Sequence, residues 1–199
     1  MSFGTFREMW ETTAEVLQNA KCSLTGALKI TTESEGATRN GRSYSAFTEF
    51  TVNADSQKLL QFKTPSFTDG LIMMKETYLI TEGTDVRLSV FENPDAITDG
   101  TTLVAPTNHN RNPNEQKENK GLLYSDPSGI TLGDAEEIVR FPIFGDTKGG
   151  SIISKGSTPK LGIEYELNEN TDYVLQIDNN DTSNSIVCFI WLYWLELEE

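Results

Sequence analysis

One histidine and a large surplus of acids limit the chemistry that this sequence can perform. His109 is the only histidine among 199 residues, and it lies between Asn108 and Asn110 in a polar stretch. A serine–histidine–aspartate triad needs a histidine base that neighbouring groups hold rigidly. A run of asparagines on a loop holds a base poorly, so we expect His109 to be a solvated loop residue and not a catalytic base.

Carboxylates suggest two further kinds of site. Paired carboxylates hydrolyse glycosides without a histidine, but among 30 Asp and Glu residues some suitably spaced pair is expected by chance. Asp178 and Asp181, with asparagines between them, offer the hard oxygen ligands that Ca²⁺ prefers. The EF-hand spacing is absent, so we interpret residues 178–181 as an ordinary turn.

The spacing of the cysteines and glycines matches no known cofactor-binding or metal-binding motif. Cys22 and Cys188 lie far apart within apolar patterns, which is typical of buried free thiols and not of a zinc cluster. Gly149-Gly150 lacks the spacing and the Lys-Ser/Thr pair of a phosphate-binding loop, so we expect a hairpin or a β-bulge there. We therefore predict that the protein is not an enzyme and binds no cofactor and no metal.

The charge balance disfavours two classes of partner. With 16 Lys and Arg against 30 Asp and Glu, the formal net charge is −14. Such a chain repels phosphate groups, so we expect neither a nucleic-acid nor a membrane partner. Residues 1–17 lack the basic start and apolar run of a signal peptide, which predicts synthesis in the cytoplasm without signal-dependent secretion.

The first element that the sequence predicts is an N-terminal helix over residues 5–20. It begins with the residue types of a capping box, and apolar residues then recur at helical spacing. So short a helix must pack against something: either it caps its own domain, or it is an arm that docks on another subunit. In the second case the partner-binding residues are its apolar stripe, namely Phe6, Met9, Trp10 and Leu17.

From Cys22 onward the apolar period is two, which predicts strands. Residues 22–30 read as one half-buried strand, and residues 33–43 as a polar connection with Asn40-Gly41 as a turn signal. Residues 105–121 have no apolar period and are expected to be a long exposed loop, functional or mobile. The remaining predicted strands are 44–52, 58–64, 71–81, 85–92, 121–125, 136–144, 151–154, 161–167, 171–178 and 185–197.

Many short strands at regular spacing predict an all-β sandwich or barrel. Our prediction is an antiparallel, jelly-roll-like β-sandwich with a short N-terminal helix. Its two parts are a helical arm, residues 1–21, and a sandwich domain, residues 22–199.

The longest apolar run of the sequence is the segment Ile186–Leu195 in the C-terminal half. It is too short to span a bilayer, and its apolar character on both faces is typical of a central strand. Two alternatives remain open: one face forms an oligomer interface, or Trp191, Tyr193 and Trp194 form an exposed platform on which a sugar stacks.

Several short motifs of the C-terminal half occur together in one known family. They are Val90-Phe91-Glu92-Asn93-Pro94, Asp99-Gly100-Thr101, Asn108-His109-Asn110-Arg111-Asn112, Gly149-Gly150, Tyr173-Val174-Leu175-Gln176-Ile177 with Asn179-Asn180, and Leu192-Tyr193-Trp194-Leu195-Glu196. Through them the stretch from Tyr78 to Glu196 resembles the auxiliary virion proteins of tailed bacteriophages, of the capsid decoration or cement kind.

The resemblance implies a β-sandwich that binds the major capsid protein on the outside of a phage head and stabilises the head. It implies a trimer as the assembly and the virion exterior as the location, and it transfers no catalytic or metal-binding residue. An acidic surface rich in Asn and Thr suits a crowded particle that must stay soluble. The competing hypotheses are a carbohydrate-binding β-sandwich, such as a receptor-reading virion component, and a hydrolase that uses carboxylates.

Overall fold

The protein is described by a computed structural model over residues 20–22, 28–30, 32–66, 70–81, 85–144 and 165–197. No helix within these ranges has the length and apolar character that crossing a bilayer needs. The elements are α1 Glu33–Arg39, β1 Ala20–Cys22, β2 Leu28–Ile30, β3 Ser43–Val52, β4 Ser56–Lys63, β5 Leu71–Thr81, β6 Asp85–Glu92, β7 Ala96–Thr98, β8 Thr102–Val104, β9 Thr107–Asn108, β10 Leu122–Ser125, β11 Ser128–Thr131, β12 Glu136–Phe144, β13 Tyr165–Leu167, β14 Asp172–Asn179 and β15 Ile186–Leu197.

Two antiparallel sheets contain most of these strands. The five-stranded sheet has the order β13-β5-β15-β3-β9, and the six-stranded sheet has the order β12-β6-β14-β4-β10-β8. If β3, β4, β5, β6, β12, β13, β14 and β15 are numbered 1 to 8 along the chain, the two sheets contain the orders 6-3-8-1 and 5-4-7-2. This is the connectivity of a jelly roll, an eight-strand sandwich of two Greek keys. The predicted antiparallel, jelly-roll-like sandwich is confirmed.

The hydrophobic core lies between the two sheets and is centred on Trp194. This side chain is fully buried; its ring stacks on Tyr44 with centroids 5.8 Å apart and meets the edge of Phe62 at 5.3 Å. Alternate residues of β15 point into the core, because successive side chains of a strand face opposite sides. The inward residues of β15 are Ile186, Cys188, Ile190, Leu192 and Trp194.

Two connections differ from the sequence prediction. The single strand predicted over 22–30 is wrong, since β1 and β2 are antiparallel partners with Cys22 opposite Leu28. Residues 33–39 form α1 where only a polar connection was expected. Thr32 caps this helix by accepting the N–H of Glu35, a short-range signal that the apolar period does not show.

Asn40-Gly41 closes α1 and does not form a hairpin turn. Gly41 has φ +70°, its N–H bonds to the Thr38 carbonyl at 3.1 Å, and the Arg42 N–H bonds to the Ala37 carbonyl at 2.8 Å. This pair of bonds is a Schellman motif, in which a left-handed residue, usually glycine, ends a helix.

Several predictions fall on parts of the chain outside the described residues. They include the helix over 5–20 with its candidate partner-binding residues, the Gly149-Gly150 turn and the strand 151–154. Of the predicted helix only Ala20 is described, and it belongs to β1, so the helix boundary is wrong at that residue. The predicted division between residues 21 and 22 falls within β1 and stays a prediction.

Candidate functional site

The two sheets present very different outer faces. On the six-stranded sheet, buried Gln61 donates to Asp99 at 2.8 Å and to Asp172 at 2.7 Å. Elsewhere on this sheet, Arg87 of β6 donates twice to Asp178 of β14, at 2.9 and 2.7 Å. Polar groups on this face therefore pair with one another, as on an ordinary solvated surface.

The outer face of the five-stranded sheet carries a cluster of large apolar side chains. Trp191 on the central strand β15 lies opposite Phe47 on β3 and Tyr78 on β5, and Phe189 lies opposite Ile80. Phe47 is 55% exposed and Ile80 is 45% exposed. We call this cluster the aromatic face; it consists of Phe47, Tyr78, Ile80, Phe189, Trp191 and Tyr193.

The aromatic face follows from the apolar character of β15 on both sides. The strand is central, as predicted, with β3 and β5 as its neighbours. Of the three residues proposed for a sugar platform, Trp191 and Tyr193 point outward. Trp194, the third, points into the core and is fully buried, so its part in such a platform is wrong.

The rings of the aromatic face hold one another in place. Phe47 and Phe189 stack with centroids 5.9 Å apart, and Trp191 and Tyr193 stack at 5.9 Å with an angle of 11° between their planes. Tyr78 contacts Trp191 at 5.3 Å. Aromatic pairs at such separations attract one another beyond the area they bury, so the face is preorganised.

His109 extends this row of rings and is not the solvated loop residue that we expected. Its ring stacks on Tyr193 at 5.1 Å with an angle of 8°. Its Nδ1 lies 3.2 Å from the Ser43 Oγ and its Nε2 lies 2.9 Å from the Ser45 Oγ. Burial lowers the pKa of His109, and the positive charge of Arg111 lowers it further.

The Ser45–His109 pair has the spacing of a nucleophile and its base, but its surroundings oppose that chemistry. The group beside Nδ1 is the Ser43 hydroxyl, whereas a triad places a carboxylate there to stabilise the imidazolium. Burial and Arg111 both disfavour the imidazolium. The two hydroxyls instead fix the plane of the ring that supports Tyr193.

The loop that contains His109 is exposed at its tip and anchored at both ends. The exposed tip, 111–118, agrees with the prediction. At one end the His109 N–H bonds to the Ser43 carbonyl at 2.9 Å. At the other end one carboxylate oxygen of buried Glu196 accepts the N–H groups of Lys120 and Gly121, at 2.7 and 2.9 Å, and the indole N–H of Trp194 at 3.2 Å.

Asparagine side chains shape the loop between these anchors. Asn108, Asn110 and Asn112 each accept the backbone N–H two residues further along, at 2.9, 2.9 and 3.2 Å. Each of these bonds is an Asx turn. We expected these asparagines to hold a histidine poorly, but their hydrogen bonds make the loop more rigid.

The two carboxylates considered for calcium have structural roles. Asp178 is held by Arg87, and Asp181 accepts the N–H groups of Ser183 and Asn184, at 2.8 and 3.1 Å. Hydrogen bonds from Asn184 and Ser183 lower the pKa of Asp181. Asp178 and Asn179 are the last residues of β14, so the turn predicted over 178–181 is wrong at its first two residues, and the chain bends only after the strand.

Two pockets of the described chain bear on the carboxylate-hydrolase hypothesis. An apolar cavity of about 60 Å³ lies between the sheets, with Glu76 as its one carboxylate. A polar pocket of about 330 Å³ between α1 and the 109–121 loop has Glu115 as its one carboxylate. Neither pocket supplies the pair of carboxylates that glycoside hydrolysis needs.

Sequence reasoning found part of the aromatic face and missed the rest. It singled out Trp191 and Tyr193, but not Phe47, Tyr78, Ile80 or Phe189. The missed signal is Phe47, which occupies the outward register of β3 together with Ser45, Glu49 and Thr51. Single exposed apolar residues are ordinary, and only a contiguous patch marks a contact surface; Phe47 becomes part of such a patch through its register with Trp191. The four residues proposed on the N-terminal helix lie outside the described residues.

Comparison with known proteins identifies no family. No family model matches the sequence, and no curated protein matches it significantly. The functional conclusion therefore depends on the geometry of the aromatic face and on the resemblance of short motifs.

Proposed function

We propose that the protein is a non-enzymatic virion structural protein, a decoration protein that binds the outer surface of a phage head and stabilises it. The observation that carries this proposal is the aromatic face, an exposed apolar cluster on a rigid sheet. Such clusters mark interaction surfaces, and aromatic residues dominate the binding energy of protein interfaces.

The fold and the motifs support the same proposal. Jelly rolls are used in viral capsid proteins and in lectins, although a fold alone does not decide a function. The motifs between Tyr78 and Glu196 favour the viral use. In this proposal the partner is the major capsid protein, the chain assembles as a trimer, and the protein lies on the exterior of the virion.

The direct test is binding to heads of the phage that encodes the chain, purified without this protein. We expect saturable binding, measured as copies per head on a gel, and an increase in the temperature at which the heads melt. Heads that bind no protein and melt unchanged would overturn the proposal. Light scattering tests the trimer separately, because a mass that stays near the 22.2 kDa of one chain at high concentration excludes it.

The N-terminal segment provides a second proposed contact, through Phe6, Met9, Trp10 and Leu17. If Trp10 anchors the arm on the head, Trp10→Ala should weaken binding by about 2 kcal/mol, roughly thirtyfold, with the sandwich still folded. If Trp10 packs on its own domain instead, the variant should melt at a lower temperature and bind as before per folded molecule.

A carbohydrate-binding module is the second candidate, because Trp191 and Tyr193 are nearly parallel on an exposed sheet. However, Tyr193 lies between Trp191 and His109 and stacks on both, whereas a bound sugar needs a free ring face. Titration with a glycan panel decides between the two. Quenching of tryptophan fluorescence that Trp191→Ala abolishes would favour a sugar ligand over the decoration role.

A further inference from the structure

The polar pocket between α1 and the 109–121 loop collects positive charge in an acidic protein. Its lining contains three cations, Arg39, Arg42 and Lys117, and one carboxylate, Glu115. The lining therefore carries a formal charge of +2, whereas the whole chain carries −14. A concave site of one sign raises the local concentration of ligands of the opposite sign, so the pocket favours an anion.

The backbone around the pocket is held in place without a ligand. Gly41 packs so closely on the loop that a Cβ there would lie 1.9 Å from the Glu115 carbonyl oxygen. The Lys117 N–H bonds to the Gly41 carbonyl at 3.1 Å, and the Asn110 side chain donates to the Arg39 carbonyl at 2.7 Å. A ligand then loses little affinity to the ordering of the loop.

Several polar groups of the lining are available to a ligand. The side chains of Asn40, Asn114 and Lys117 make no hydrogen bond or ion pair within the described chain. The lysine can donate three hydrogen bonds, and each amide can both donate and accept. Arg39 donates one guanidinium N–H to Glu35 and keeps its other N–H groups.

Glu115 restricts the kind of anion that fits. Its Oε2 accepts the Asn110 side chain in a long hydrogen bond of 3.4 Å, and its Oε1 accepts none from the described residues. An inorganic phosphate offers almost only acceptor oxygens, so it would face this carboxylate with like charge and no hydrogen bond. A ligand with hydroxyl groups can instead donate to Glu115 while its negative group pairs with the cations.

The size of the pocket agrees with a single sugar ring. Its volume of about 330 Å³ lies at the lower end of the range for small-molecule sites, roughly 300–1,000 Å³. At about 30 Å³ per water molecule it holds about eleven waters, which is close to the number of non-hydrogen atoms in a hexuronic acid. The described residues that line it include no aromatic and no aliphatic residue, which disfavours an apolar ligand.

We propose that this pocket binds a monosaccharide that carries one negative group, either a carboxylate or a phosphate. The negative group pairs with the three cations, since a guanidinium can offer two parallel N–H donors to one anion. The ring hydroxyls donate to Glu115 and bond to the amides of Asn40 and Asn114. The site shares no residue with the aromatic face, so it does not depend on the proposed decoration role.

The first experiment compares four compounds in an NMR titration of the isotope-labelled protein. Glucuronate and glucose 6-phosphate have both the charge and the hydroxyls, glucose lacks the charge, and inorganic phosphate lacks the hydroxyls. We expect one or both of the charged sugars to shift the backbone amides of Asn114 and Lys117, with a Kd on the order of 1 mM. Glucose and inorganic phosphate should bind at least about tenfold more weakly, because each lacks one kind of contact. Equal affinity for either of these two compounds would overturn the proposal.

A pair of matched variants tests the cations. Arg39→Gln with Lys117→Gln should weaken binding of the charged sugars about tenfold, since two exposed ion pairs are lost. Arg111→Gln with Arg140→Gln is the control and should bind as wild type. Arg111 is an exposed residue of the same loop that does not line the pocket, and Arg140, like Arg39, is exposed and pairs with a glutamate of its own element. Equal weakening by the two double variants would show that only net charge matters, and melting curves check that both fold.

Glu115→Gln tests the role of the hydroxyls. The amide keeps an acceptor oxygen and removes the charge that repels a bare ion, so inorganic phosphate should gain affinity relative to glucuronate. We expect the ratio of the two affinities to change by roughly threefold. An unchanged ratio would contradict the contact between Glu115 and the hydroxyl groups.

Head binding separates this site from the proposed function. The Arg39/Lys117 variant should bind phage heads as wild type does. Sugar binding without any head binding would refute the decoration role and keep the site. If no compound shifts the pocket amides at tenfold the expected Kd, the inference is wrong. Loss of head binding by the Arg39/Lys117 variant would then identify the occupant as an acidic side chain of the partner protein.

Discussion

Replacement of Glu196 tests how the loop that contains His109 is held. One oxygen of this carboxylate accepts three donors, and two of them, the Gly121 N–H and the Trp194 indole N–H, are buried. A buried donor left without a partner costs about 1–3 kcal/mol. Glu196→Ala leaves both without one, for a cost of about 2–6 kcal/mol. Part of that cost is offset because a desolvated carboxylate disappears, and we expect a net loss of about 3 kcal/mol.

Glu196→Gln keeps the acceptor and removes the charge. Burial raises the pKa of Glu196 in spite of its hydrogen bonds, so the folded protein holds this proton more tightly than the unfolded chain does. The wild type therefore loses stability as pH rises from about 4.3, the ordinary value of Glu, through the raised folded pKa. The amide does not titrate, so at pH 7.5 Glu196→Gln should be at least as stable as wild type, with the difference shrinking towards pH 4.

Urea unfolding at pH 4.5 and pH 7.5 measures both effects. With a slope of about 2 kcal/mol per molar urea, Glu196→Ala should lower the midpoint by about 1.5 M. Glu49→Ala, an exposed glutamate on β3, is the control and should change the midpoint little. If Glu196→Gln unfolds as easily as Glu196→Ala, then the acceptor role assigned to the carboxylate is wrong.

Three further predictions concern single positions. Gly41→Ala should lower the free energy of unfolding by at least about 2 kcal/mol in a thermal melt, because at φ +70° its Cβ would lie 1.9 Å from a carbonyl oxygen. Gly129→Ala is the control: at φ +61° its Cβ would lie 3.4 Å from the nearest atom, so the loss should be only about 1–2 kcal/mol. His109, the single histidine, should titrate in an NMR experiment with a pKa below its ordinary value of about 6.5. The stability that its neutral form contributes should be lost as pH falls from about 6.5 through the folded pKa. A titration midpoint above about 6.5 would contradict the buried stack. Cys188 is buried with a raised pKa, so iodoacetamide should alkylate it in urea and not in the native protein, as mass spectrometry of its peptide can show.

The sequence predicts the strands of this fold well because each has one buried face. The strands predicted over 71–81 and 85–92 match β5 and β6, and the other long strands agree within two residues at either end. Short elements escape the pattern, because β7, β8 and β11 have three or four residues each and bury little. The period of two therefore detects a strand only where the core imposes it.

The functional surface was harder to predict, since it depends on register across strands. Trp191 and Phe47 are 144 positions apart in the sequence and adjacent in the sheet. In a strand such as β15, which is apolar on both faces, the local sequence does not indicate whether an aromatic side chain points inward, as Trp194 does, or outward. His109 shows the same limit. The long loop predicted over 105–121 contains the short strand β9, which ends at Asn108, and the ring on which His109 stacks comes from the far end of the chain.

The order of the strands along the chain determines when each sheet can be completed during synthesis. β14 lies between β4 and β6, and β15 lies between β3 and β5, so the two strands made last in the described chain join neighbours that left the ribosome long before. Until residues 172–197 emerge, each sheet is split where its central strand belongs. Pairings over such long separations form slowly, and the open strand edges are prone to aggregation. We therefore expect both sheets to be complete only once residue 197 has left the ribosome, and a nascent chain stalled before residue 172 should need a chaperone to stay in solution.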